Sequence, residues 1–283
     1  MGDAARPWEY SAFTVRVGAL RRLSPGFLRL TLVGPALVHF AAWGLDQRIK
    51  LVLPTPDGRP AGDVGLRDEP TPHPSLWYAR WKQLPEAERA VLRTYTPSAI
   101  RAEQAEIDVD VVLHEPPGPA STWAAAAQVG DELIVTGPDA RQGWTGYGLH
   151  WHPGDARRFL LVGDETAFPA LANILVALPA GATGTVLIEA GDPADDIVTA
   201  HAPDGITVRC VPRGDVAGVA LERAVEEWGS ALPAAPDESF YAWLAGESGA
   251  VTRIRRHLTG ELGVPKERVS FLGYWRLGGP LVG

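Results

Sequence analysis

The chain has 283 residues, 46% of them apolar and 21% charged, which excludes a chain disordered throughout and, at about 150 residues per domain, leaves room for two packed cores. Its 26 Lys and Arg against 34 Asp and Glu give a net charge of -8, so no overall basic field invites nucleic acid or an anionic membrane surface. The single cysteine, Cys210, excludes an intramolecular disulfide and a thiolate-built metal site, and fits a reducing compartment.

Residues 1–10 are interrupted by charges and a proline and lack the apolar stretch of a secretory signal, which predicts a cytoplasmic protein. Residues 13–17, 27–33, 49–53, 107–113 and 132–136 are β-branched runs, or alternate apolar with polar residues, between Pro and Gly turn signals. That spacing predicts a small antiparallel barrel or sandwich. Residues 54–90, rich in Pro and charge and carrying Trp77, Tyr78 and Trp81, depart from the pattern and are expected to form an excursion between barrel strands.

Directly after the excursion, Arg93-Thr-Tyr-Thr-Pro97 combines a guanidinium, a phenol and two hydroxyls. In a strand, Arg93 and Tyr95 share one face and Thr94 and Thr96 the other. The set suits a planar ring with a phosphate tail: Arg93 for the phosphate, Tyr95 over an aromatic face, Thr96 bonding a ring heteroatom. Taken alone, it is better explained as an ordinary strand with Tyr95 in the core. Residues 111–114 continue as a strand, 115–121 as a turn-rich loop and 122–127 as a short helix. Small residues feeding a helix N-terminus offer backbone N–H groups and the positive end of the dipole to a phosphate. Ser121 either caps that helix or bonds the phosphate.

After about residue 156 the rhythm changes. Strands over 159–162, 185–190, 205–211, 240–245 and 269–274 alternate with helices over 167–178, 217–228 and 249–262, predicting βαβ units and a parallel sheet. The expected domains are 1–154 and 155–283. Residues 167–188 carry no charge but contain Pro169 and Pro179, so they read as helix, turn and strand rather than a membrane span. The turn Gly163-Asp-Glu-Thr-Ala-Phe-Pro169 stands where a dinucleotide fold has its phosphate loop. It lacks the Gly-x-Gly-x-x-Gly pattern, and its two acids would repel phosphate unless they point away or cap the helix. Residues 156–247 hold 5 basic against 14 acidic side chains, and residues 248–283 hold 6 against 2. The cationic tail is either a solvated helix face or an anion-binding edge. Val251, Ile254, Leu258 and Leu262 bury one face of its helix and leave Arg253 and Arg256 together on another. His150-Trp-His152 is as compatible with a surface loop as with a metal site, and no hydrolase elbow, zinc motif or Walker loop is present.

Arg93-Thr-Tyr-Thr-Pro97, Val112-Leu-His114, Gly118-Pro-Ala-Ser-Thr-Trp-Ala124 and Gly130-Asp with Gly137-Pro138 resemble the flavin-binding barrel of the siderophore-interacting protein family, the ferric-siderophore reductases. Gly163 to Ala170, Ala245-Gly-Glu247 and Gly273-Tyr-Trp-Arg276 resemble its C-terminal domain. The resemblance implies an antiparallel Greek-key flavin-binding β-barrel followed by a parallel-sheet α/β nicotinamide-binding domain, with FAD as cofactor and NADPH or NADH as donor. It implies FAD contacts from Arg93, Tyr95, Thr96, His114, Gly118, Ala120, Ser121 and Thr122, and a nicotinamide side at Asp164, Thr166, Ala167 and Glu247. A lone strand histidine such as His114 is also a common structural hydrogen-bonder. Lys50 matches a lysine that relatives use beside the flavin edge. Lys50, Arg253 and Arg256 are expected to converge at the domain cleft on an anionic ferric siderophore. Where relatives often carry a second arginine after the Tyr-Thr pair, this chain has Ser98, and the next arginine is Arg101. The implied activity is reduction of siderophore-bound Fe(III) by a monomeric cytoplasmic enzyme, without a protein acid or base, nucleic acid or membrane insertion. The alternatives are a flavin reductase or diaphorase for another soluble acceptor and a non-catalytic siderophore-binding protein.

Overall fold

The computed structural model describes residues 9–55, 57–59, 61–232 and 236–278, so most of the segment read for a targeting signal lies outside the described residues. Two compact units are present, Met1–Leu23 with Phe27–Leu149 and Ser24–Gly26 with His150–Gly283.

The alternating runs of the first unit pair side by side because each has one apolar face to bury and backbone groups to satisfy on both edges. They are β1 (Tyr10–Arg22), β2 (Phe27–Val33), β3 (Ile49–Leu53), β4 (Val91–Tyr95), β5 (Pro97–Arg101), β6 (Glu106–Val112) and β7 (Glu132–Pro138). All pairings are antiparallel, in the order β4-β3-β7-β1-β2-β6-β5. The two edge strands are consecutive in the chain, with Thr96 alone between them. Because two residues span about 7 Å at most, the sheet must curl until its edges meet at Thr96. The result is a partly closed Greek-key barrel filled by Phe13, Leu30, Leu32, Leu51, Val109 and Val135.

The excursion folds as α1 (Pro74–Gln83) and short turns. Its Trp77 is buried with Val52 and Ile134 on the outer face of β3 and β7, and the indole Nε1 donates to Tyr10 Oη at 2.8 Å. The helix forms to cover that face, not because of a strong apolar period of its own.

On the outer face of β2, β5 and β6, charged residues pair across strands, directly opposed for Arg29 and Asp110 and diagonally for Arg101 and Asp108. Arg29 holds Asp110 at 2.6 and 2.7 Å, and Arg101 holds Asp108 at 2.8 and 2.9 Å. Burial alone would raise the Asp108 carboxyl, but Arg101, Thr31 and Arg29 hold it below the usual carboxylate range. A depressed acid contributes stability that is complete above its unfolded pKa and is lost as pH falls through the native value, here below about pH 4. The urea midpoint of the wild type should therefore fall steeply below that pH. Arg101→Met, weaker at pH 7, should show a shallower acid slope, and an unchanged slope would remove Asp108 from the acid transition.

The second unit is a parallel sheet of β8 (Arg158–Asp164), β9 (Thr183–Ala190), β10 (Ile206–Pro212), β11 (Phe240–Glu247) and β12 (Val269–Trp275), in the order β10-β9-β8-β11-β12. Helices α3 (Phe168–Val176), α4 (Val219–Ser230) and α5 (Ser248–Gly260) connect it. β11 is buried along its whole length, as expected of a central strand covered on both faces. Val251, Ile254 and Leu258 form the buried stripe of α5, whereas Leu262, expected on the same stripe, lies past the end of the helix and is only partly buried. The charge-free stretch resolves into α3, a turn and β9, and no helix among the described residues is long and apolar enough to cross a membrane. The strand order reverses between β8 and β11, the switch point at which open α/β sheets bind ligands.

Candidate functional site

In the first unit the register decides which side chains meet. Arg93 stands opposite Leu51 and Tyr95 opposite Ile49, so both share the interior face of the barrel, while Thr94 pairs with Lys50 on the outer one. Tyr95 packs against the core, and burial pushes its phenol up to about 12, so the ring stays neutral. The Arg93 guanidinium donates to Leu92 O at 2.8 Å, and among the described residues no carboxylate pairs with it. Thr96, at the seam between the edge strands, is 4% exposed, and its Oγ1 is buried without a hydrogen-bond partner. Such a hydroxyl costs about 1–3 kcal/mol unless a ligand satisfies it.

The helix α2 (Pro119–Ala126) packs against β2, β4 and β6, and so lies beside the strand of Arg93. It begins three residues earlier than the sequence suggests. Gly118 is its N-cap, and Ser121 is the third helical residue rather than the cap. Proline at the first position has no N–H, and Thr122 N already donates to Gly118 O at 2.8 Å. Ala120 and Ser121, both buried, therefore carry the amides that lack an intrahelical partner. β6 ends at Val112, so His114 lies in the loop and not in the strand, with its Nε2 3.5 Å from the place a Cβ on Gly118 would occupy.

Lys50 lies on the face opposite Arg93 and Tyr95, where its Nζ donates to Thr94 Oγ1 at 3.3 Å, and burial and Arg48 lower its pKa. Ser98 Oγ donates to Asp108 O at 3.3 Å, and Arg101 is held by Asp108 and Glu106.

In the second unit Asp164, Thr166, Ala167 and Glu247 gather at the switch point, but the two carboxylates turn inward. Asp164 Oδ1 accepts from Thr166 N at 3.0 Å and Thr166 Oγ1 at 2.5 Å. Its Oδ2 accepts from Glu247 N at 3.0 Å and Trp275 Nε1 at 2.7 Å. Gly246, at φ +148°, permits this: a Cβ there would stand 2.6 Å from Asp164 Oδ2. Glu247 caps α5 through Ala250 N at 2.8 Å and accepts from Leu277 N at 3.2 Å. Ala167 is fully buried. Arg253 is held bidentately by Glu222 at 2.6 and 2.7 Å, Arg256 is exposed, and Arg255 lies 4.5 Å over the Phe271 ring.

Sequence reasoning missed Glu189 and Arg213, which with Glu165 form a charged group at the carboxyl ends of β8, β9 and β10. Glu165 is ion-paired with Arg213, and Glu189 Oε2 lies 3.5 Å from Arg213 Nε. Burial raises both carboxyls, and Arg213 opposes that rise. A charged residue in the last two positions of a parallel strand, as Glu189 is in β9, or directly after one, as Arg213 is after β10, is the signal that would have found them.

An antiparallel barrel with Arg93, Tyr95 and an unpartnered Thr96 at its seam, followed by a parallel sheet of this order, is the fold shared with a ferredoxin reductase in carbazole 1,9a-dioxygenase, at a TM-score of 0.63 and 19% identity, covering 94% of this chain and 70% of that one. Residues 16–142 match the siderophore-interacting FAD-binding domain and residues 156–278 match siderophore-interacting protein, so the chain belongs to the siderophore-interacting protein family. It is 34% identical over 273 residues to an uncharacterized protein of Mycobacterium tuberculosis, covering 93% of this chain and 89% of that one. It is 28% identical over 260 residues to the ferric vibriobactin reductase ViuB of Vibrio cholerae, covering 90% and 86%. Among solved structures, a siderophore utilization protein from T. fusca superposes with a TM-score of 0.75 at 28% identity, covering 98% of this chain and 97% of that one. The siderophore-interacting protein SipS from Aeromonas hydrophila gives 0.73 at 29%, covering 95% and 93%.

Proposed function

We propose that the protein is a cytoplasmic FAD-dependent oxidoreductase that passes electrons from NADH or NADPH to the Fe(III) of a ferric siderophore and so releases iron as Fe(II). The observation that carries this is the barrel seam: a buried hydroxyl without a partner at Thr96, the neutral ring of Tyr95 beside it, and a guanidinium at Arg93 that no carboxylate neutralises. These residues fit a flavin. Arg93 supplies charge to a phosphate, Tyr95 covers a ring face, and the Thr96 hydroxyl bonds a ring heteroatom. Gly118 lets the pyrophosphate approach, Ala120 and Ser121 offer amides, Thr122 its hydroxyl, and His114 stands beside the ring or ribityl chain.

Bound FAD supplies the exchange between a two-electron donor and a one-electron acceptor. The chain's own work is positional. Asp164 and Glu247 pin the turn that carries Thr166 and Ala167 on the nicotinamide side, and the two acids of the turn point away from it, Asp164 toward Thr166 and Trp275 and Glu165 toward Arg213. Lys50, Arg253 and Arg256 supply cations for an anionic chelate, Arg253 by exchanging its Glu222 partner. Hard oxygen donors hold Fe(II) less firmly than Fe(III), so reduction favours release. The likeness to the ferric vibriobactin reductase of Vibrio cholerae, the membership of the siderophore-interacting protein family and the single cysteine support this reading.

The test mixes the prereduced protein with one chelator loaded with Fe(III) or with Ga(III), which mimics the size and charge of Fe(III) but is not reduced. Rapid reappearance of the oxidised flavin spectrum with iron and not with gallium is expected. Equal, slow traces would favour another acceptor, and a colourless protein that takes up no flavin would favour a binder.

A further inference from the structure

The carboxyl ends of β8 and β9 lie in a stretch poor in cations. Residues 159–208, which include the turns after both strands, contain no Lys or Arg and seven Asp or Glu. Beyond them, Arg209 is paired with Glu227 at 2.9 Å. Arg213 follows β10, and its backbone N–H donates to Ala190 O at 2.8 Å, which sets it beside the end of β9. In a sheet of this order the end of the second strand meets the adenosine ribose of a dinucleotide, where an acid suits the 2′-hydroxyl and an arginine suits a 2′-phosphate.

Arg213 is already engaged. Glu165 takes its Nη2, and Glu189 Oε2 lies 3.5 Å from its Nε. Both carboxylates are fixed from behind: Glu165 accepts from Gly191 N at 2.7 Å, and Glu189 faces Gly218 N with both oxygens at 2.8 and 3.1 Å. Glu165 is 5% and Glu189 0% exposed, so turning Arg213 outward would strand two buried charges. Asp192, exposed two residues past the end of β9, accepts from Ala194 N at 2.9 Å and adds a further negative charge beside that strand end.

Resting on the donor site proposed above, we infer that Glu165 and Glu189 withhold Arg213 from the ligand and thereby select a dinucleotide without a 2′-phosphate, NADH over NADPH. The flavin-loaded protein is titrated calorimetrically with AMP and with adenosine 2′,5′-bisphosphate, and its flavin reduction by NADH and NADPH is followed in stopped flow. AMP should bind at least about tenfold tighter than the bisphosphate, and NADH should be favoured by a similar factor. Glu165→Gln keeps an acceptor for Gly191 while removing one charge from Arg213, and should shift the NADH to NADPH ratio by about threefold or more toward NADPH. Equal binding of the two adenosine nucleotides, or wild-type reduction as fast by NADPH as by NADH, overturns the inference while leaving the donor site in place. If neither nucleotide reduces a flavin that dithionite does reduce, the donor site itself falls and the selectivity with it. Should Glu165→Gln fail to fold, the wild-type comparison still decides.

Discussion

Arg93→Ala is expected to lose flavin while keeping its fold. The guanidinium bonds only a neighbouring carbonyl and has no carboxylate partner among the described residues, so its removal strands no buried charge. Toward a bound phosphate it supplies a charge-assisted contact worth about 1.5–3 kcal/mol, or about a tenfold to hundredfold change in Kd. Arg93→Lys should recover part of the loss, because lysine returns the charge without the planar fork. Flavin absorbance after dialysis and the thermal melt of the apoprotein measure the two halves separately. Full flavin retention by Arg93→Ala would remove this residue from the cofactor site.

Asp164→Ala is expected to act on stability first. The carboxylate is 3% exposed and accepts from four donors, the amides of Thr166 and Glu247, the Thr166 hydroxyl and the Trp275 indole. Leaving them unmatched costs about 3 kcal/mol or more after partial rehydration. For a protein of this size that is a fall in Tm of about 6–12 °C. An unchanged melt accompanied by slower flavin reduction would instead make Asp164 a group that faces the ligand. Gly246→Ala should share the phenotype, because its new Cβ would enter the space of the same carboxylate.

Much of the fold was legible along the chain. The alternation in residues 27–33 and 49–53 gave the bounds of β2 and β3, and the apolar stripe Val251, Ile254, Leu258 gave the buried face of α5. The candidate flavin residues were legible as types, since a guanidinium, a phenol and a hydroxyl within four positions need no tertiary knowledge to be noticed. The helix α1 was not, because its ten residues carry little apolar period and fold against Val52 and Ile134 from distant strands.

The sequence by itself determined the order and type of nearly all the elements, the division into an antiparallel and a parallel half, and which residues have the chemistry to bind a flavin. Tertiary structure decided what each charged group does with its charge. Asp164 meets a backbone amide 83 residues away and an indole 111 away, Arg253 meets a carboxylate 31 residues away, and Glu165 meets Arg213 48 residues away. Lys50 and Arg93 fall on opposite faces because of a strand register. Hydrophobic period is a local property, repeated every two or 3.6 residues, and is therefore written along the chain. A buried charge finds its partner through strand order and register, and those are settled only when the sheets close.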